Sequence, residues 1–336
     1  MSELASLLRE GAEQRVYSAA AWSVGNGERA IDRGSLGHRA HGGIPVDGTE
    51  NWDLASVTKP IVGLAVMALV ERGVLGLEDT LGSHLPGYTG GDKAELTVRQ
   101  LLAHSSGLPG GVRLFADHPS REGFLDALRD LPLCRRPGTG VEYSSQGFML
   151  LGFLAEAASG RRLDHLVEDY VCAPLGMDAT RFGPVAEAVA TEYCHWRERM
   201  VIGEVHDENA VVLGGICGHA GLFGTLDDLE RLGMALVRGG GELLGADTFA
   251  EMTACHTETL NLRRCLGWQG FDQDCPLGTV FGRDSYGHTG FTGTSIWVDP
   301  ALGRYFVLLT NRVHPSREPS GIEVLRRRFH EHAVGL

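Results

Sequence analysis

The sequence predicts an α+β fold, with one antiparallel sheet built from N- and C-terminal segments, flanked by helices, and a mainly helical block inserted between them. Strand-like apolar runs occur near the start, at residues 16–24 and 29–34. They return in the last third, at 267–271, 287–289, 294–298 and 304–310, and between the two sets the apolar residues recur at helical spacing. A chain of 336 residues also exceeds the usual size of one core. Two subdomains are therefore expected, residues 1–80 with 222–336 carrying the sheet and residues 81–221 mainly helical, and the chain ends should lie near each other.

Residues 2–14 open the chain as a helix with Leu4, Leu7 and Leu8 on one side. Gly25-Asn-Gly27 is a hairpin turn signal between the first two strands, and a polar loop follows. The helix begun at Ser56 is apolar on nearly every face, through Ile61, Val62, Leu64, Val66, Met67 and Leu69, which predicts a buried position. Pro60 is tolerated there because an amide so near a helix start has no intrahelical partner. Glu71-Arg72-Gly73 stops this helix, and the segment ending at Leu85-Pro86-Gly87 reads as loop.

The inserted block reads as short helices. Thr97 caps 98–104, Ser120 starts one through Leu131, 145–158 ends at Gly160, and 163–171 precedes Pro174. Residues 177–224 are glycine-rich and read as irregular, and 227–238 is helical up to Gly239-Gly-Gly241. A last helix spans about 321–333.

Composition narrows the function. A net charge of −13 argues against binding nucleic acid or an anionic membrane through a general field. Seven cysteines without a C-x-x-C pair point to reduced thiols, with no disulfide or zinc framework. The first ten residues lack the pattern of a secretory signal, and no apolar run approaches a bilayer span, so a cytoplasmic location is expected. The triple glycine lacks the lysine and flanking elements of a phosphate loop, which discounts nucleotide binding.

Only Lys59 and Lys93 are lysines, against 28 arginines. An arginine cannot give up its proton in a protein and a lysine can, so a lysine three residues after Ser56 suggests a place that needs a free amine. At that spacing the amine reaches back to the hydroxyl. The alternative is an N-capping serine with an incidental lysine. His206-Asp-Glu-Asn209 reads as a hydrogen-bond cluster in preference to a metal site. His104 reads as a helix terminus, and Trp268 and Phe291 as pocket wall or core.

Two further segments join the pair: Tyr143-Ser-Ser145 at the start of a helix, and His288-Thr-Gly290 at a strand. With Ser56-x-x-Lys59 in this order, the chain resembles the serine hydrolase superfamily of class C β-lactamases, D-alanyl-D-alanine carboxypeptidases and related esterases. Leu101-Leu-Ala-His-Ser-Ser-Gly-Leu108, Pro174-Leu-Gly-Met177, Gly218-His-Ala-Gly-Leu-Phe223 and Leu309-Thr-Asn-Arg312 also resemble segments of that family.

The resemblance implies the β-lactamase/transpeptidase-like fold and an acyl-enzyme on Ser56, with Lys59 and Tyr143 handling its proton. It implies an oxyanion site of the Ser56 and Phe291 backbone N–H groups. Ser145, His288, Thr289 and Gly290 would contact substrate, with no cofactor and no metal, and Gly290 would let substrate approach the strand edge closely. Ser145 stands where the family usually has asparagine, and His288 where lysine is more frequent. A histidine with an ordinary pKa of about 6.5 is largely neutral at physiological pH and attracts a carboxylate weakly. If it does bind one as imidazolium, preference for acidic substrates should rise towards pH 6.

The expected activity is therefore hydrolysis of a small ester or amide, most simply an ester. A β-lactamase or D-amino-acid peptidase is the alternative within the enzymes. A catalytically silent sensor or binding module is the alternative outside them. The sequence leaves the oligomeric state open.

Overall fold

Residues 2–272 and 280–336 are described by the computed structural model, and Cys275 lies outside them. The strands in chain order are β1 (Ala19–Gly25), β2 (Ala30–Gly37), β3 (Trp52–Asp53), β4 (Arg181–Phe182), β5 (Ala190–Cys194), β6 (Arg199–Ile202), β7 (Leu222–Gly224), β8 (Gln269–Gly270), β9 (Tyr286–Thr289), β10 (Ser295–Asp299) and β11 (Arg304–Thr310). Six of them form one antiparallel sheet in the order β2-β1-β11-β10-β9-β8. The first strand thus pairs with the last, with Ala20 opposite Thr310 and Trp22 opposite Leu308. This is the α+β architecture expected from the sequence.

Both faces of the sheet are covered, which is why its central strands read as nearly continuous apolar runs. Ala20, Trp22, Val24, Trp297, Phe306 and Leu308 point into a core with Leu4, Leu7, Leu8, Leu325 and Phe329 of the two terminal helices, Glu3–Glu13 and Ile322–Ala333. Their alternate neighbours Ala19, Ala21, Ile296, Val298, Val307 and Leu309 point into the larger core beneath helices Thr58–Glu71 and Leu226–Val237. Arg328 donates to Glu10 at 3.1 Å, so the terminal helices are also joined at their surface. Gly287 lies opposite Trp297, whose indole occupies the space where a Cβ would project.

Helix Thr58–Glu71 has every residue from 58 to 69 buried, as its uniform apolarity predicts. Helices Val98–Leu102 and Arg121–Asp130 start at the expected caps, Thr97 and Ser120, and Ser145–Ser159 is capped by Ser144 and closed by Gly160 in a left-handed conformation. Leu163–Val167 continues through a wider π-type turn over Glu168–Cys172.

Three stretches differ from expectation. The segment before Gly87 contains a one-turn helix, Leu81–His84, because Thr80 and Ser83 cap it reciprocally. Residues 177–224 are not irregular: β7 pairs with β3 and β4, β5 and β6 form a hairpin, and a short helix spans Glu208–Val212. Their strands are too short to show a period, and β3 comes from a distant part of the chain. Helix Ala246–Thr253 was not anticipated. Among the described residues, no helix is long and apolar enough to cross a membrane.

Candidate active site

Ser56 sits in a single 3₁₀ turn, Ala55–Val57, that feeds the buried helix. Ala55 has φ +47°, a left-handed conformation that costs a residue with a side chain about 1–2 kcal/mol. Asp53 holds it there, since its Oδ1 accepts from the Ala55 N–H at 2.8 Å and its Oδ2 from the His206 N–H at 2.7 Å. Burial pushes the Asp53 carboxyl above the usual range, and His206 and these N–H groups oppose that.

Lys59 is fully buried, with Nζ 2.9 Å from Ser56 Oγ and 3.1 Å from the carbonyl oxygen of His219. His219 is itself clamped, its Nε2 2.9 Å from Asp207 Oδ1 and its Nδ1 3.1 Å from Cys217 Sγ. Burial alone would lower the imidazole, but Cys217 and Asp207 push it up to about 10. Desolvation likewise opposes ionisation of Asp207, and the His219 charge overcomes it, so that carboxylate lies well below its usual range. In the cluster His206-Asp-Glu-Asn209, Asp207 bonds His219 and the Ala210 N–H, Glu208 bonds Arg317, and Asn209 binds the Phe115 N–H and the Val112 carbonyl.

Tyr143 stands beside this pair with its ring centroid 4.9 Å from Lys59 Nζ. The His104 ring lies 4.7 Å from it, the His288 ring 5.9 Å, and the Arg264 guanidinium carbon 5.6 Å. His104 is left-handed too, with φ +55°, and its Nδ1 accepts from the Ser144 N–H at 3.0 Å, so it fixes the chain just after Tyr143. Burial, then Arg264 and Lys59, push the His104 imidazole well below its ordinary value. For His288 the causes are burial, then Lys59 and Arg264. His288 is therefore no imidazolium, and the expected attraction for a carboxylate as pH falls towards 6 has no basis in its surroundings.

β9 reaches the site at its C-terminal end. The Thr292 hydroxyl donates to the Asp53 carbonyl at 2.7 Å and the Thr294 hydroxyl to the Leu54 carbonyl at 3.0 Å, binding the turn after β9 to the segment before Ser56. A Cβ on Gly290 would lie 2.1 Å from Thr294 Oγ1 and 2.6 Å from the Leu54 carbonyl. An internal close approach therefore requires glycine here. Neither the Ser56 nor the Phe291 N–H bonds another backbone carbonyl among the described residues. Phe291 is 47% exposed, with the Arg312 guanidinium 4.2 Å over its ring, whereas Trp268 is core.

Two cavities meet at Ser56, Ser145, Asp207 and Phe291. The larger, about 520 Å³, holds Tyr143, His288, Thr289 and Gly290 together with Arg264, Arg312 and Arg326. The smaller, about 260 Å³, is bordered by Val112, Phe115 and His206. All eight sequence-selected residues thus border the cavities or, for Lys59, touch the serine that does. The sequence reading places His104 at a helix terminus and Asp207 in a hydrogen-bond cluster, and it reaches Arg312 and His219 only as members of family-like segments. Arg264 and Arg326 carry no signal in a chain of 28 arginines.

Glu192, Cys194 and Glu208 bring potential ligand atoms within 4.8 Å of one another. Arg317 bonds both carboxylates and supplies the positive charge a metal would bring.

Residues 4–328 match the family model described as Beta-lactamase. The chain belongs to the beta-lactamase family. A putative D-alanyl-D-alanine carboxypeptidase of Escherichia coli K12 is 31% identical over 318 residues, 81% of this chain and 72% of that protein. Among solved structures, the octameric penicillin-binding protein homologue from Pyrococcus abyssi superposes with a TM-score of 0.78 at 20% identity, over 96% of this chain and 75% of that one. EstCE1, a hydrolase with promiscuous acyltransferase activity, gives 0.77 at 21% identity, over 96% and 98%. At those identities the structures establish the shared fold. This beta-lactamase family member is a serine hydrolase.

Proposed function

We propose that the protein hydrolyses a small ester or amide through an acyl-enzyme on Ser56. The supporting observation is the position of Lys59, 2.9 Å from Ser56 Oγ and otherwise bonded to the His219 carbonyl. An amine in its neutral form can keep one N–H on that carbonyl and accept the serine proton at its lone pair. Lys59 takes this proton as Oγ bonds to the substrate carbonyl carbon. The developing oxyanion is received by the Ser56 and Phe291 N–H groups, each such donor being worth about 3 kcal/mol of barrier. Tyr143 relays the proton from Lys59 to the departing oxygen or nitrogen. Water then attacks the acyl-enzyme, gives its proton to the same pair, and the proton returns to Ser56 Oγ.

Esters demand least of the site and are its simplest substrates. A second reading, a carboxypeptidase acting on D-alanyl peptides, draws on Arg264, Arg312 and Arg326 around the larger cavity, which suit a substrate carboxylate. The name of the Escherichia coli relative points the same way. Intact protein is treated with a fluorescent phosphonate and measured by mass spectrometry, and p-nitrophenyl acetate, D-alanyl-D-alanine peptides and nitrocefin are compared as substrates. One adduct per chain, absent in Ser56→Ala, is expected, with esters turned over fastest. No adduct, with equal ester hydrolysis by Ser56→Ala, would sink the proposal; D-alanyl peptides overtaking esters would establish the second reading.

A further inference from the structure

We infer that His288 offers the substrate a hydrogen-bond acceptor, so that this hydrolase selects esters and amides carrying an N–H or O–H donor close to the reacting carbonyl. The inference rests on the proposed reaction at Ser56 and names the substrate class for that site.

His288 Nδ1 lies 2.8 Å from the carbonyl oxygen of Thr289, its own neighbour. A carbonyl oxygen only accepts, so Nδ1 carries the ring hydrogen and Nε2 of the neutral ring keeps its lone pair. Nε2 has no hydrogen-bond partner in the protein, and the imidazole is only 3% exposed. Buried acceptors are rarely left without a partner, because the lost hydration is not replaced. The ring belongs to a residue that lines the larger cavity with Ser56, Tyr143 and Thr289.

Protonation does not remove the acceptor. Burial, then Lys59 and Arg264, hold the imidazole well below its ordinary value against the smaller opposing effect of the Thr289 bond, and the Tyr143 ring lies 5.9 Å away. A lysine at this position would present three donors and no acceptor, and would ask the substrate for the opposite group.

The test uses two matched pairs of esters, each differing in one donor. N-acetylglycine p-nitrophenyl ester is set against its N-methyl analogue, and 3-hydroxyphenyl acetate against 3-methoxyphenyl acetate. In the wild-type protein the donor-bearing member of at least one pair is expected to have a kcat/KM about tenfold higher, equivalent to about 1.4 kcal/mol. His288→Phe and His288→Lys, which lack an acceptor, bring that ratio to about one. His288→Gln retains part of it through its amide oxygen. Wild-type ratios within twofold for both pairs, or a preference unchanged in His288→Phe or His288→Lys, overturn the inference while Ser56-dependent hydrolysis continues. Hydrolysis that persists in Ser56→Ala overturns the reaction itself and is recognised separately.

Discussion

Replacing Thr292 by valine keeps the branched shape and removes one hydroxyl, the one that donates to the Asp53 carbonyl at 2.7 Å. Thr292 is buried, so that carbonyl loses a partner water does not readily replace, and the expected loss of stability is about 1–3 kcal/mol. The functional effect has another origin. The turn from Gly290 to Gly293 carries the Phe291 N–H, and it meets the Ser56 segment through this hydroxyl and that of Thr294. Complete loss of an oxyanion donor lowers kcat by about 100-fold or more. Loosening one of two clamps should therefore reduce kcat by about tenfold, and Thr292→Val/Thr294→Val by about 100-fold. Steady-state hydrolysis of p-nitrophenyl acetate gives kcat and KM, and urea unfolding gives stability. A double variant that is destabilised but keeps kcat within threefold of wild type would refute the claim that these hydroxyls hold the oxyanion site together.

Gly290→Ala places a methyl 2.6 Å from the Leu54 carbonyl, a backbone atom that cannot swing aside, so kcat should fall at least about tenfold, as the same ester assay would record. The arginines of the larger cavity predict that a succinate half ester is preferred to the corresponding acetate ester. That preference should weaken several-fold between 0.05 and 0.5 M salt as charges are screened; a salt-independent ratio would remove the arginines from recognition. His219 has a folded pKa of about 10, above its ordinary 6.5, so its protonation contributes stability that is complete below about pH 6.5 and is lost as pH rises through about 10. The difference in urea midpoint between wild type and His219→Gln should accordingly be largest near pH 6 and shrink by pH 10, and a difference that grows with pH would exclude a buried imidazolium.

The parts of the fold legible in the sequence are those whose physical cause is local or repetitive. A helix with no polar face has to be buried, and Ile61 to Leu69 is. Strands covered on both sides read as runs of Ala, Val, Leu and aromatic residues, and β1 and β11 do. Ser56 and Lys59 could be paired from spacing alone, because one helical turn fixes their separation. The remainder depends on contacts that sequence order conceals. β3, β4 and β7 are two or three residues long, too short for any period, and pair across distant segments. The His104 ring reaches Tyr143 only because its own backbone turns left-handed. His219 contributes through its carbonyl, a group every residue possesses, so its side chain gave no hint that it holds Lys59.

β1 lies between its immediate successor, β2, and the last strand of the sheet, β11. During synthesis the β1–β2 hairpin and the Ser56–Lys59 helix emerge early, whereas β9, Phe291, Arg312 and Arg326 emerge near the end. Until then one edge of β1 has no hydrogen-bond partner, and Trp22 and Val24 lack the C-terminal residues that cover them. Joining strands so far apart in sequence carries a large loop-closure cost and slows folding. A partly made chain therefore lacks the Phe291 N–H that the proposed reaction needs. On that reaction, hydrolysis is expected to begin only when translation is nearly complete, and its onset would report that the sheet has closed.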